Sequence, residues 1–248
     1  MSNNWPLSFV LPAYNEEDNI REMLDDVVCA LQDLGCEYEI IVVDDGSLDR
    51  TAELVDVVAA TDESIRLIRH PVNLGYGDAV LTGLNTASKQ FVFFTDSDKQ
   101  FDLAELGSMF DLIENADLAV GYRSPRRDPL MRRLKGRGWS FLVNLLFGHT
   151  ASDIDCAFKL IRTDVVRQLR GRVASRGLTF SAEFLVRAKN EGFRIIELPI
   201  RGHRPRLHGR PTAVSVTTTL KAFRDLLKFR MTFWKEKRQR STVSDRSD

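Results

Sequence analysis

The run YEIIVVDDGS, residues 38–47, constrains the fold more than any other stretch of this 248-residue chain. Its first part is apolar and β-branched without alternation, the pattern of a strand buried on both faces of a parallel sheet. Its end turns abruptly acidic. An apolar run ending in polar or turn-forming residues recurs three times nearby: LSFVLPA leads into YNE, IRLIRH into PVNLGYG, and QFVFFT into DSDKQ. Between these runs lie segments of helical spacing. In the first, Ile20, Met23, Leu24, Val27, Val28, Leu31 and Leu34 share a face, and Gly35 stands where a C-cap belongs. DRTAELVDVVAA and GYGDAVLTGLNTA predict two more helices. Strands alternating with helices in this way predict βαβ units and an α/β fold with a mostly parallel central sheet flanked by helices.

Ligands of such sheets bind at the carboxyl ends of the strands. There the chain places Tyr14, Glu16, Asp44, Asp45, Arg69, Asn73, Asp96, Asp98 and Gln100. Taken singly, DDGS is a good turn and NLGYG a good helix start. Four polar clusters at four successive strand ends point instead to one shared ligand site. There is no G-x-x-x-x-G-K-[ST], and no G-x-G-x-x-G follows the first strand, which argues against an ATPase-type phosphate loop and a dinucleotide site. What remains is a set of oxygen donors, Asp96, Asp98 and Gln100, suited to a hard cation such as Mg²⁺ or Mn²⁺ that keeps positions open for phosphates. Four scattered histidines give no zinc spacing.

Formal net charge is zero but unevenly distributed. Residues 1–118 carry 24 Asp and Glu against 6 Lys and Arg, whereas residues 119–248 carry 11 against 29. The halves either pack so that the charges mix, or leave a basic surface for an anionic partner. Two segments favour the second reading. YRSPRRDPLMRRLKGRG carries seven basic residues and runs into Trp139, Phe141, Leu142, Leu145, Leu146 and Phe147; LKAFRDLLKFRMTFWKEKRQR is a basic amphipathic helix with Leu220, Phe223, Leu226, Leu227, Phe229 and Phe233. Each reads either as a core helix with a solvated basic side or as a helix lying on an anionic membrane. Three cysteines without pairing pattern, no export signal in MSNNWPLSF and no apolar run near the roughly 20 residues of a span predict a cytoplasmic chain, peripheral on the cytoplasmic face of a membrane. No nucleic-acid motif is present, so no nucleic-acid partner is expected.

In order, VLPAYNEEDNI, VVDDGSLDRT, NLGYGDAVLTGL and FTDSDKQFD resemble the successive motifs of family 2 glycosyltransferases, most of all the polyprenyl- and dolichyl-phosphate sugar synthases. The likeness continues through GYR, DIDCAFKLIRTDV and FSAEFLVRAKNEGFRIIELPI, covering residues 7–212. It implies a GT-A (Rossmann-like) fold, a GDP- or UDP-hexose donor (mannose or glucose), polyprenyl phosphate as acceptor, and inversion at the anomeric carbon. The family pattern assigns Pro12, Tyr14, Glu16, Val43 and Asp45 to the nucleotide pocket, with Asp45 receiving a hydrogen from the base. It assigns Asp96 and Ser97 to the donor, Asp98 and Gln100 to the metal, and Arg123 and Arg206 to phosphate. Ser97 stands where alanine is common, and the lysine that follows the late arginine in mannose synthases has Arg210 as its nearest substitute.

These assignments divide the chain into a catalytic domain at 1–212, a basic amphipathic helix at 213–240 and a disordered tail at 241–248. HRPRLHGRP (203–211) reads as a loop that orders over a bound diphosphate. Asp153 and Asp155 are candidate bases, the second carried into the expected catalytic set with Asp96, Asp98 and Arg123; Glu183 is either a helix-start acid or a group facing the acceptor. A hydroxyl acceptor on a glycan or glycolipid is the alternative chemistry. Without a Q-x-x-R-W, processive polymerisation is disfavoured. A non-catalytic nucleotide- or membrane-binding module is the third reading, and a separate membrane-anchoring subunit stays open.

Overall fold

The computed structural model describes residues 5–125, 130–206 and 216–244, with side chains from 219 to 239 in the last segment. Seven strands form one sheet: β1 (Leu7–Ala13), β2 (Tyr38–Asp44), β3 (Ile65–Arg69), β4 (Phe91–Thr95), β5 (Leu118–Arg123), β6 (Phe158–Arg162) and β7 (Ile195–Ile200). Their order is β3-β2-β1-β4-β6-β5-β7. All neighbours pair in parallel except at β6, which runs antiparallel to both β4 and β5. The mostly parallel sheet and the predicted alternation are therefore present, and Gly35 closes the first helix in the left-handed conformation at φ 61°.

Both faces of the sheet are covered, as the unbroken apolar runs require. Phe9, Leu11, Ile40, Val42, Phe91 and Phe93 point to one face, under α1 (Ile20–Leu34), α2 (Thr51–Ala59) and α4 (Leu106–Ile113). Val10, Ile41, Val43, Val92 and Phe94 point to the other, under α3 (Tyr76–Thr86), α5 (Leu130–Phe147), α6 (Thr163–Leu169), α7 (Phe180–Asn190) and α8 (Val216–Ser244). Helix α3 lies so close to β1 that a Cβ on Gly83 would overlap the Val10 side chain.

Helix α8 is part of this body. Ala222, Leu226 and Phe229 are buried, and Phe229 stacks on Phe147 of α5 at 4.8 Å. Beneath it, buried Arg187 donates to Glu183 at 2.7 Å and to Glu236 of α8 at 2.8 Å. Glu183 also accepts from the Ser175 amide; it is the first-turn acid of α7, as one expected reading had it, and its contacts commit it to the framework that seats α8. The expected boundary at 212/213 and Arg210 lie outside the described residues. Helix α8 continues to Ser244, four residues into the expected tail, because STVS contains no glycine or proline to stop it. No helix among the described residues is long and apolar enough to cross a membrane.

Removing the Arg187 guanidinium strands a buried carboxylate. Arg187→Ala is expected to cost about 3–5 kcal/mol in urea unfolding, whereas Glu236→Ala, on a half-exposed partner, costs about 1 kcal/mol or less.

Candidate active site

Six strands share one direction, so their carboxyl ends lie along one edge of the sheet, and reversed β6 contributes its amino end to the same edge. Glu16 follows β1, Asp44 closes β2, Asp96 and Asp98 follow β4, Arg123 closes β5, Asp153 and Asp155 precede β6, and Arg206 follows β7. Topology thus gathers on one edge residues nearly two hundred positions apart.

An open cleft of about 610 Å³ lies at the β1–β2–β3 end, lined by Tyr14, Asp44, Gly46, Ser47, Arg69 and Asn73 among others. Tyr14 is exposed there. Asp44, not Asp45, forms part of the wall. Asp45 is committed beneath it: its carboxylate accepts from the Leu74 and Gly75 amides at 3.0 and 2.8 Å and pairs with His70 Nδ1 at 2.8 Å. Asp45 therefore fixes the loop that starts α3. Val43 sends its side chain into the core, which leaves its backbone for the cleft. Pro12 is buried, and its carbonyl accepts from the Ser97 hydroxyl at 2.8 Å, so Ser97 ties the end of β4 to β1.

The second part of the site is acidic. Asp96 accepts from the Tyr76 hydroxyl; burial raises its pKa, against that bond and the nearby Arg123 and Lys159. Asp98 is pushed up to about 7 by burial and by Asp96, against Arg206 and the Gln100 amide. Arg206 donates to Glu16 Oε1 at 2.6 Å and stands 3.8 Å from Asp98 Oδ2. The Gln100 side-chain N–H donates to the Arg204 carbonyl at 3.1 Å, while the Arg204 amide donates to the Gln100 carbonyl at 2.7 Å. The described part of the late loop, residues 201–206, is thus already fastened, further secured by the Arg201 and Gly202 amides on Glu105.

Among the described residues no three His, Cys, Asp or Glu side chains converge to hold a metal ion alone. A desolvated carboxylate beside a second one, with a neighbouring amide oriented by its N–H, still fits a hard divalent cation that takes its other ligands from a diphosphate.

The third part lies at the β5–β6 end. Arg123 forms a two-pronged pair with buried Asp153, at 2.7 and 2.8 Å. Asp153 is thereby committed to holding Arg123, and Asp155, two residues on, is exposed. Asp155, Asp96 and Asp98 all act on Tyr76, whose pKa burial drives well above its ordinary value. Sequence reasoning missed Tyr76, the choice of Asp44 over Asp45, and Lys159.

Away from this edge, α5 and α8 each show two faces. Trp139, Leu142, Leu146 and Phe147 pack on the core, whereas Leu134, Phe141 and Leu145 are exposed. On α8, Leu220, Phe223, Leu227, Met231 and Trp234 form an exposed stripe at helical spacing, with Lys221, Arg224, Lys228 and Lys235 beside it. Trp139 meets Phe223 edge-on at 5.9 Å, so the two helices are neighbours.

Comparison with known proteins agrees with this geometry. The profile described as Glycosyl transferase family 2 matches residues 8–170. The dolichyl-phosphate beta-glucosyltransferase ALG5C of Trichomonas vaginalis is 32% identical over 211 residues, covering 78% of this chain and 62% of that protein. An undecaprenyl-phosphate 4-deoxy-4-formamido-L-arabinose transferase of Edwardsiella ictaluri is 31% identical over 207 residues, covering 82% and 61%. The chain thus spans about three fifths of the length of these curated relatives. Glucosyl-3-phosphoglycerate synthase from Mycobacterium tuberculosis, solved with Mn²⁺, UDP and phosphoglyceric acid, superposes with a TM-score of 0.65 at 21% identity over 91% of this chain and 78% of its own. That likeness establishes the GT-A fold.

The raised pKa of Asp98 has a thermodynamic consequence. The folded chain binds this proton more tightly than the unfolded chain, so the stabilisation is complete below the ordinary 3.8 and is lost as pH rises through about 7. In EDTA, the melting temperature is expected to fall between pH 6 and pH 8, and Asp98→Asn to remove that part of the fall. Equal slopes for the two proteins in differential scanning calorimetry would contradict the assignment.

Proposed function

The chain belongs to glycosyl transferase family 2, and on that footing we propose that it moves a hexose from a GDP- or UDP-sugar onto polyprenyl phosphate, with inversion, at the cytoplasmic face of a membrane. The observation that carries the reading is the convergence of Glu16, Asp96, Asp98 and Arg206 on the sheet edge beside the open cleft. The acceptor class draws support from the two relatives, whose names specify dolichyl and undecaprenyl phosphate. The paired outer faces of α5 and α8, apolar with flanking cations, suit an anionic bilayer surface.

In this reading the nucleotide lies in the cleft against Tyr14 and Asp44, over the backbone of Pro12 and Val43, with Asp45 holding the floor. Asp98 and the Gln100 amide oxygen would hold Mg²⁺ or Mn²⁺, which when bound supplies positive charge at the donor diphosphate. Arg206 exchanges its contacts with Glu16 and Asp98 for the diphosphate and stabilises it as a leaving group. Asp96, held by Tyr76, orients the sugar, while Arg123, aimed by Asp153, receives the acceptor phosphate. The acceptor oxygen forms its bond to the anomeric carbon as the bond to the diphosphate breaks. Asp155 takes up the proton of a phosphate monoanion. Its exposed carboxylate would equally serve a hydroxyl acceptor as base, which is what favours that second reading.

The test is transfer from a panel of GDP- and UDP-hexoses to polyprenyl phosphate in anionic and in neutral liposomes, with Mg²⁺ or Mn²⁺ and an EDTA control. A lipid-linked hexose is expected, formed faster on anionic vesicles, abolished by EDTA and reduced about 100-fold or more in Asp98→Ala. Donor binding without lipid product, together with transfer to a glycan or glycolipid hydroxyl, would replace the phosphate acceptor with the hydroxyl one.

A further inference from the structure

Lys159 sits in the middle of β6, opposite Phe94 of β4 and Val120 of β5, and is 1% exposed. In the strand FKLIR it points with Ile161 toward the face packed by α3, α5 and α7, among apolar side chains. Placing an ammonium there costs several kcal/mol, roughly, unless its protons are bonded, and a leucine or methionine would fill the space without that cost. The reason for a lysine lies in its contacts. Its Nζ donates to the carbonyl of Ile154 at 3.2 Å and to the carbonyl of Cys156, with the Phe94 ring 5.4 Å below. Those two carbonyls belong to the residues on either side of Asp155.

We propose that Lys159 is a positioning residue: its buried ammonium grips the carbonyls of Ile154 and Cys156, the two neighbours of Asp155, and so holds that exposed carboxylate at the acceptor side of the site. Three further contacts fit this. The Ile154 amide donates to Ser140 of α5, the Cys156 amide to the Asp153 carbonyl, and Asp153 is itself locked on Arg123. The turn is thus held from below by Lys159 and from the sides by α5 and β5, leaving the Asp155 side chain as its outward group. Burial drives the lysine's pKa down, while Asp155, Asp153 and Asp96 hold it up. Tyr76 and Arg123 are the other ionisable groups of the neighbourhood. The Cys156 thiol, pushed up to about 12 by burial, contributes no charge near neutrality.

The inference rests on the proposed transfer only through the role of Asp155, so two readouts separate them. The first needs no activity: hydrogen–deuterium exchange of the 152–157 backbone in Lys159→Met and in Lys159→Arg. Exchange at the Ile154 and Cys156 amides is expected to rise about 10-fold in Lys159→Met and to return toward the parent rate in Lys159→Arg, with the centres of β1 and β4 unchanged. The second is a double-mutant cycle on the transfer rate. Lys159→Met and Asp155→Asn are each expected to lower kcat about 100-fold, the pair no further than either alone, and UDP or GDP affinity in the presence of Mn²⁺ to stay within about 3-fold.

Unchanged exchange overturns the proposal whatever the activity. So do additive losses in the cycle, or a kcat loss matched by loss of nucleotide binding, which would mark a general packing defect. If Lys159→Met does not fold, Lys159→Gln, which keeps one N–H donor for a carbonyl, is read by the same two measurements. A parent protein that transfers nothing refutes the proposed function and leaves the exchange experiment to decide on Lys159.

Discussion

The structure depends on holding five carboxylates, Glu16, Asp96, Asp98, Asp153 and Asp155, at one edge of a sheet. Two like charges 4 Å apart repel by roughly 4 kcal/mol at the effective dielectric of a protein surface. Burial adds to that cost. Four of the five are accordingly met by a specific donor: Glu16 by Arg206 and Asn19, Asp96 by Tyr76, Asp98 by the Gln100 amide, and Asp153 by Arg123. Lys159 lies beneath Asp155 and Asp96 as a fixed cation. The balance is incomplete at Asp98, whose only nearby cation is Arg206 at 3.8 Å among the ion pairs described. That shortfall of positive charge suits the divalent ion and diphosphate of the proposed function.

Reversed β6 is what makes this edge three-sided. Were it parallel like its neighbours, the turn at 153–157 would lie at the opposite end of the sheet, and Arg123 would lose the carboxylate that aims it. The same chain direction lets β7 deliver residues 201–206 onto the β4 loop. There Gly202 is needed because a Cβ would overlap Asp102, and the two-way bond between Gln100 and Arg204 couples the expected metal ligand to the loop that carries Arg206. Of the loop expected to order only with donor, the described residues 203–206 are already held by the protein itself.

The strand ends were legible in the sequence because they are local. An apolar run that turns polar marks its own carboxyl end, and four of them mark an edge. The choice within the pair Asp44–Asp45 was not local. Which of two adjacent carboxylates faces the cleft depends on the pleat and on the loop at 72–75 that claims Asp45. Lys159 was hidden for a related reason: in FKLIR a lysine between apolar residues reads as the solvent side of a half-exposed strand, whereas both faces of β6 are covered. Glu183 was legible as a helix-start acid, but not its bond to Arg187 or the Arg187–Glu236 pair, which forms only when α8 docks. On α5 and α8, periodicity gave an apolar stripe for each helix but not its division between the core and an outer face.

The uneven charge of the two halves now has a double explanation. Part of it is spent internally, acids of the first half meeting bases of the second: Glu16 and Asp98 with Arg206, Asp102 with Arg204, Asp78 with Arg176. These pairs stitch the strands before β5 to the segments after it, and the most important of them cross the site. Other cations, among them Lys135 and Arg137 on α5 and Lys221, Lys228 and Lys235 on α8, stay exposed beside outward apolar side chains. An arrangement built only for solubility would not set Phe141, Leu145, Leu227, Met231 and Trp234 among them, since contiguous exposed apolar surface is a liability unless it is covered. Charge mixing and a basic surface are therefore two uses of the same excess, one bridging the site and the other suited to the anionic surface of the proposed function.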